Sequence, residues 1–544
     1  MNFHLANLYE TVADTCPDRP AIIACHENEP TEHRSWAELD ARASRIANLL
    51  VESGLKPQSK FGIYMRNRAE YIEAHLAGFK ARMIPINVNY RYQSGELVYL
   101  LDNADAEALF FQAEFQPRIE EIRSQLPKVG LYVQVDDGGA PLQDWALDYE
   151  QALASASPMA RIERPGSDVY MLYTGGTTGM PKGVMYSQDE FTSRLSLGLM
   201  LRGVEPPTSL ADVPDRIEKL AGVEAPNVSL CACPLMHGTG IWLGHIALAY
   251  LGGATLTMSH PRFDADILWQ LAEKHAATDI VIVGDAFAKP MLKALQIASE
   301  NGQPYNISSL RRIVSSGVMW SREVKDSLLE FGNMLLLDAF GSSEGGMGMS
   351  ISSRGAAAET AKFALTEGVK VFDENDKLIE PGSEAIGMVG LSGGVPLGYY
   401  KDEAKSAKTF RKIDGVRYSF PGDFAKVEAD GSVTLLGRGS NCINTGGEKV
   451  FPEEVEEALK RHPDVLDCLV VGVADDRFGQ RIVAVTSLAE GSSLAADEII
   501  AATKAHLSGY KLPRQVIFVD QVRRAVNGKA DYAWAKGVAQ AAVG

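Results

Sequence analysis

Cysteine is scarce. Six thiols in 544 residues (Cys16, Cys25, Cys231, Cys233, Cys442 and Cys468) exclude the dense disulfide framework of a small secreted domain. Cys231 and Cys233 stand two apart with no second Cys/His pair at ligand spacing, so a structural zinc site is excluded and the thiols read as reduced and buried. Excess positive charge is also missing: 53 Lys and Arg against 70 Asp and Glu leave a formal net charge of −17, the wrong sign for a nucleic-acid backbone. The opening Met1-Asn-Phe-His-Leu5 shows no basic segment followed by an apolar run, so no secretory signal is expected. Long apolar runs are rare too. Gly240 to Met258 alone approaches membrane length, and its Gly252-Gly253 pair and His245 favour a buried helix–turn–strand over a span. Repeats and low-complexity tracts are absent. The expectation is a soluble, cytoplasmic protein with no nucleic-acid partner and no stable membrane insertion.

What is present is a pattern of alternating elements. At about 100–200 residues per domain the length implies several domains or subdomains. Ser35 followed by Glu38 is a capping box opening a helix that runs to Leu50. Phe61–Met65 reads as a strand and Tyr71–Phe79 as a helix, a parallel α/β alternation. The Pro-rich, charged stretch from Val204 to Asn227 reads as a surface excursion with one short helix. Alternation resumes from Ala254 to Leu337, with Asp279–Val283 and Arg312–Ser316 as buried strands. A turn-rich β section follows from Val369 to Leu436. The last hundred residues form a separate α+β unit: helix Pro452–Lys460, strands Val465–Val473 and Ile482–Leu488, helix Ala495–Leu507. The fold class expected is therefore α/β: a large N-terminal domain of layered α/β subdomains plus a β-rich section (1–437), a boundary stretch at 438–441, and a small α+β C-terminal domain (442–544).

One segment concentrates phosphate-binding chemistry. After the apolar Tyr170-Met-Leu-Tyr173 come Thr174, Gly175, Gly176, Thr177, Thr178, Gly179, Met180, Pro181 and Lys182. Glycines let backbone N–H groups approach an anion, hydroxyls donate to phosphate oxygens, and the lysine adds charge. The order does not fit a Walker A loop. Two more segments suit a nucleotide on their own terms. Phe340 can stack on a purine, and Glu344 follows two serines where a carboxylate can hold Mg²⁺ against phosphates. Asp423, after Gly422, can accept ribose hydroxyls. Arg438 alone reads as a surface cation, and Lys529 in Asn-Gly-Lys as a hairpin tip.

Together, in this order, the segments resemble the adenylate-forming superfamily of acyl-CoA synthetases, luciferases and peptide-synthetase adenylation domains. The resemblance spans essentially the whole chain. It implies that the loop from Thr174 to Lys182, with Ser316, Gly317, Asp338, Ala339, Phe340, Gly341, Ser342, Ser343, Asp423 and Arg438, binds ATP. It implies Glu344 as the Mg²⁺ ligand, Thr177 and His237 as participants in catalysis, and Lys529 as the mobile catalytic lysine. Gly446 and Gly447 would line a coenzyme A tunnel opened by rotation of the C-terminal domain. A homodimer is the family habit. Departures are Gly175 for the usual Ser, Ser343 for Thr, Gly439-Ser440-Asn441 where an Asp or Lys often marks the hinge, and Val526 for Pro.

The implied reaction is attack of a carboxylate on the ATP α-phosphate, giving acyl-AMP and pyrophosphate, then thiolysis by coenzyme A. His237, Trp242, Met319, Trp320, Gly345, Gly346 and Met347 are candidate walls of the acid pocket, and their Met/Gly content suits a roomy apolar cavity. The ending from Asn527 to Lys536 is similar to that of bacterial ligases for fatty acids and sterol side chains, which implies a hydrophobic monocarboxylic acid. Two alternatives stand beside this: an adenylate-forming enzyme with an acceptor other than coenzyme A, and a non-catalytic acyl-adenylate or nucleotide sensor.

Overall fold

The computed structural model describes residues 3–27, 30–176, 179–260, 262–445, 448–475, 478–504, 506–525 and 528–543. The α/β alternation of the sequence folds into layered sheets. Strands Pro20–His26, Ala254–Ser259, Val228–Cys231, Asp279–Ile282, Arg312–Ser316 and Leu335–Ser342 lie side by side and parallel, in that spatial order. Such strands are covered on both faces, and their Ile/Val/Leu content is the consequence. Beyond Leu335–Ser342 the same sheet turns antiparallel through Gly345–Ser352 and Lys362–Leu365 into the β-rich section, where Val433–Arg438, Asp423–Val427, Ile386–Ser392, Val416–Ser419 and finally Phe410–Ile413 complete it. A second parallel sheet is built on Lys60–Tyr64 and Ala106–Gln112. A small third one pairs Val169–Gly176 with Gly179–Ser187.

The expected helices are present where local chemistry calls for them. Ser35 caps helix Trp36–Glu52 in a full capping box with Glu38, and Ala69–Lys80 follows its strand. The Gly240–Met258 window is a π-helical segment, Thr239–Ile246, one further turn, and strand Ala254–Ser259. Among the described residues no helix is long and apolar enough to cross a membrane. Trp36, Trp269 and Trp320 are fully enclosed by the main core. At roughly 150–250 Å² apiece and about 25 cal/mol per Å², each contributes about 4–6 kcal/mol before entropy is charged against it. Trp320, a candidate pocket wall, is thus core: it lies at 0% exposure with Lys325 over its ring.

From Ile443 onward a separate five-stranded sheet carries its own apolar clusters on its two faces. Strand Gln515–Phe518 joins it in parallel, and helices Pro452–Lys460 and Ala496–Thr503 lie as the sequence suggests, the second ending four residues earlier than Leu507. The strip between the two bodies includes Gly437, whose φ of +128° suits glycine and where a Cβ would run into the Glu453 carboxylate.

Candidate active site

The parallel strands end, at their C-terminal edges, on one large cavity of about 600 Å³. This is where ligands bind in open α/β sheets. At its mouth the sheet delivers Ser316 and Gly317 from one strand and Ala339 to Ser343 from the next. Phe340 packs against Phe363, 5.3 Å between ring centres, which fixes its plane beside the cavity. Thr174 enters from the third sheet. Asn87 holds that strand in place: it accepts from the Tyr173 amide at 2.7 Å and donates to Tyr173 O at 2.8 Å and Met236 O at 2.7 Å. The sequence gives no local hint of this bracket, because its partners are some 86 and 149 residues away.

Glu344 is 9% exposed, and Tyr399, from the short strand Gly398–Tyr399, donates to its Oε1 at 2.7 Å. The Ser342 hydroxyl accepts from the Glu344 amide at 3.1 Å, and Tyr186 donates to the Ser343 carbonyl at 2.8 Å. Asp423 is buried with Arg438 Nε 3.4 Å from its Oδ1, while its Oδ2 has no partner among the described residues. Burial pushes the Asp423 carboxyl up, against the pull of Arg438. The orphaned oxygen is the observation that suits a ribose hydroxyl, since buried acceptors are otherwise paired.

Lys529 reaches this cavity from the C-terminal body. Burial, then the Arg438 charge, lowers its pKa, and the Glu344 and Asp423 charges resist. Its loop is a built object. Arg524 donates to both oxygens of Asp467 at 2.5 and 2.6 Å and to the Gly528 carbonyl at 3.2 Å, and the Ala525 amide donates to the Lys529 carbonyl at 2.8 Å. Gly528 takes φ +71°, and a Cβ there would stand 2.9 Å from the Ala286 Cβ. Gly528→Ala should therefore displace Lys529 and slow acyl-AMP formation about tenfold, with the thioester step from supplied acyl-AMP affected less. Equal slowing of both steps would remove this positioning role.

The lowered Lys529 pKa sets a pH dependence. The ammonium is the form that can stabilise phosphate charge, so it is present below the folded pKa and lost above it. The kcat/KM for ATP in pyrophosphate release should fall on the alkaline side earlier than a free lysine would allow, by about tenfold per pH unit. Lys529→Arg should remove that limb, whatever its absolute rate. A limb unmoved by the substitution assigns it to another group.

His237 lies against the same cavity, partly covered as a residue but with Nε2 fully enclosed and unpartnered among the described residues. Burial, with Lys529 and Arg91 nearby, pushes its pKa down to about 3, so the ring is neutral at ordinary pH. Trp242 also lines the cavity, its Nε1 donating to Tyr170 OH at 2.7 Å, and Gly345 and Gly346 border it.

Three of the expected site residues lie off the cavity. Asp338 points to the opposite face of its strand from the cavity-lining Ala339 and pairs with Lys325 at 3.3 Å, where burial raises its pKa to about 6. Met347 is fully buried in the β-section core with Phe340 and Phe363. Phe340 pairs with Gly348 and Gly341 with Gly346, so Met347 is the extra residue of a bulge, and Met349 faces the cavity instead. Lys182 is paired with Asp402 at 2.6 Å beside the Tyr399 ring and does not line the cavity. Gly175 and Gly176 end one strand and Gly179 opens the next. Thr177, Thr178, Gly446 and Gly447 lie outside the described residues, as do Val526 and Asn527 before Lys529.

A cavity at the strand ends, an acidic and a ribose-type carboxylate, and a lysine delivered by a second body define a nucleotide-using enzyme of two parts. The AMP-binding enzyme family matches residues 9–400 and the AMP-binding enzyme C-terminal domain matches residues 454–529, so the chain belongs to the AMP-binding enzyme family. Among its relatives, the 3-oxocholest-4-en-26-oate–CoA ligase of Rhodococcus rhodochrous is 42% identical over 98% of this chain and 96% of its own. A medium/long-chain-fatty-acid–CoA/3-oxocholest-4-en-26-oate–CoA ligase of Mycolicibacterium smegmatis is 38% identical over 99% and 97%. The fold is shared with the anthranilate CoA ligase AuaEII in complex with anthranoyl-AMP, at TM-score 0.84 and 21% identity over 100% and 98% of the chains.

Proposed function

We propose that the protein is an ATP-dependent acyl-CoA ligase that converts a hydrophobic carboxylic acid to its CoA thioester through an acyl-AMP, releasing AMP and pyrophosphate. The observation that carries this reading is Lys529, which lines the cavity and lies within reach of the Arg438, Glu344 and Asp423 charges. A carboxylate is a weak nucleophile, and its attack on the α-phosphate crowds negative charge into one place. Catalysis is then a matter of position and cations. Lys529 supplies a desolvated ammonium, Asp423 takes the ribose through its unpaired Oδ2, and Arg438 holds Asp423. Thr174, Ser316, Gly317 and the 339–343 segment frame the nucleotide. Thr177 and Thr178 complete the phosphate loop by resemblance.

A Mg²⁺ ion fits Glu344, whose carboxylate has Oε1 on the Tyr399 hydroxyl and Oε2 left for a ligand. Mg²⁺ characteristically takes one or two carboxylates plus phosphates and water, which accords with the lack of a three-ligand cluster among the described residues. When bound it would neutralise phosphate charge. Tyr399 aims the Glu344 carboxylate, and neutral His237 borders the acid pocket without adding a charge to it.

The chain divides, on this reading, into 1–437, a hinge at 438–441 and 442–544. Two supports are the separate C-terminal sheet and the glycine-only conformation of Gly437. Lys529 must leave before coenzyme A can reach the anhydride, and Gly446 and Gly447 would then border the pantetheine arm. The test is AMP and pyrophosphate release from Mg·ATP with acids from acetate to long-chain, aromatic and steroid, each with and without coenzyme A. Turnover that needs a hydrophobic acid and coenzyme A together supports the reading. Pyrophosphate release that coenzyme A never accelerates overturns it.

A further inference from the structure

The cavity does not end in hydrocarbon. On the face of the parallel sheet that lines it, successive rows of side chains run down from the nucleotide mouth. Ser316 and Ala339 form the upper row and Val281 and Val314 the next. The third, at the opposite strand ends, is Ser229, Asp279 and Arg312, adjacent in register and 1%, 3% and 6% exposed. All three border the cavity, as does Arg202 from the helical segment above them. From Ser316 to Arg312 is four residues of strand, about 13 Å at 3.3 Å per residue.

This floor is polar and fully ionic. Arg202 pairs with Glu224 at 2.6 Å and Asp279 at 3.0 Å, while Arg312 pairs with Asp279 at 2.7 Å and Glu224 at 3.0 Å. Burial works to raise both carboxyls, and the arginines outweigh it and hold them below their ordinary range. Arg312 uses Nε and Nη2 in these pairs, and Arg202 uses Nη1 and Nη2. Ser229 Oγ has no partner among the described residues. A pocket shaped only for an aliphatic tail has no use for such a floor, because apolar carbon laid on it leaves polar groups without partners.

We propose that the Arg202–Arg312–Ser229 floor hydrogen-bonds a carbonyl oxygen at the end of the acid remote from its carboxyl. The substrate class is then a long, rigid oxo-acid of the keto-steroid type. The acceptor is neutral, since Glu224 and Asp279 already pair with the two buried guanidiniums, and the third cation on Glu224, Arg311 at 3.1 Å, is partly exposed and screened by solvent. The proposal rests on the ligase reading above and deepens it.

The test compares kcat/KM for 3-oxocholest-4-en-26-oate with that for its analogue lacking the 3-oxo oxygen, in the intact enzyme and in Ser229→Ala. Each ratio is taken within one preparation, so that folded fraction cancels. The intact enzyme should favour the oxo-acid about 10- to 100-fold, as expected where a charged donor would be left unpaired. Ser229→Ala should cut that ratio about 3- to 10-fold, and Arg202→Gln at least as much, chiefly through KM. A ratio near one in the intact enzyme, with both acids still giving CoA thioester, would overturn the proposal and leave the ligase reading standing. A terminal dioic acid preferred over the oxo-acid would overturn it in favour of an anion site. No CoA thioester from any acid would overturn the ligase reading and this proposal with it. If the Ser229 variant does not fold, the ratio in the intact enzyme decides alone.

Discussion

Lys529→Ala should lower acyl-AMP formation by roughly 100- to 1000-fold, the range seen when one preorganised charge-stabilising donor is removed. Thioester formation from supplied acyl-AMP should stay within a few fold of the unaltered enzyme. The asymmetry follows from place and chemistry. Lys529 lines the cavity and lies within reach of the Arg438, Glu344 and Asp423 charges, where phosphate charge would develop. The second half-reaction expels AMP from a carbonyl and has no pentacovalent phosphorus to stabilise. Rapid-quench measurement of each half-reaction separates them, and equal loss in both would contradict a lysine that serves adenylation alone.

Glu344→Gln is the second large effect. The amide keeps the size and leaves Tyr399 OH a carbonyl to donate to, as Oε1 now receives it at 2.7 Å, but removes the anion that would hold Mg²⁺. Half-maximal Mg²⁺ should rise roughly tenfold or more, and maximal acyl-AMP formation should fall about 10- to 100-fold. The check is a Mg²⁺ titration at fixed free ATP. An unchanged midpoint would take Glu344 out of the metal site and leave it as a partner for Tyr399 and a counter-charge to Lys529.

The sequence foretold most of the architecture because the relevant signals are local. The Ser35/Glu38 capping box, the β-branched strands at 279–282 and 312–316, and the Pro452 helix each state their conformation within a few residues. What stayed illegible depends on distance or parity. Tyr399 reaches Glu344 across 55 positions, and Arg524 finds Asp467 across 57. Nothing within either segment marks the partner. Parity explains the misplacements: adjacent strand residues face opposite ways, so Asp338 follows the core while Ala339 follows the cavity. A single bulged residue then exchanges Met347 for Met349. The cavity floor is hidden by distance, since Ser229, Asp279 and Arg312 come from three separate strands that meet only in the folded sheet.

The central claim is that the carboxylate of the acid attacks the α-phosphate of ATP and that coenzyme A later displaces AMP. The most direct measurement follows oxygen. With acid labelled by oxygen-18 in both carboxyl positions, one turnover in the presence of ATP and coenzyme A should move one labelled oxygen into AMP, with the other retained in the thioester and none in pyrophosphate. Appearance of the label in inorganic phosphate with formation of ADP, or AMP free of label, would contradict the account.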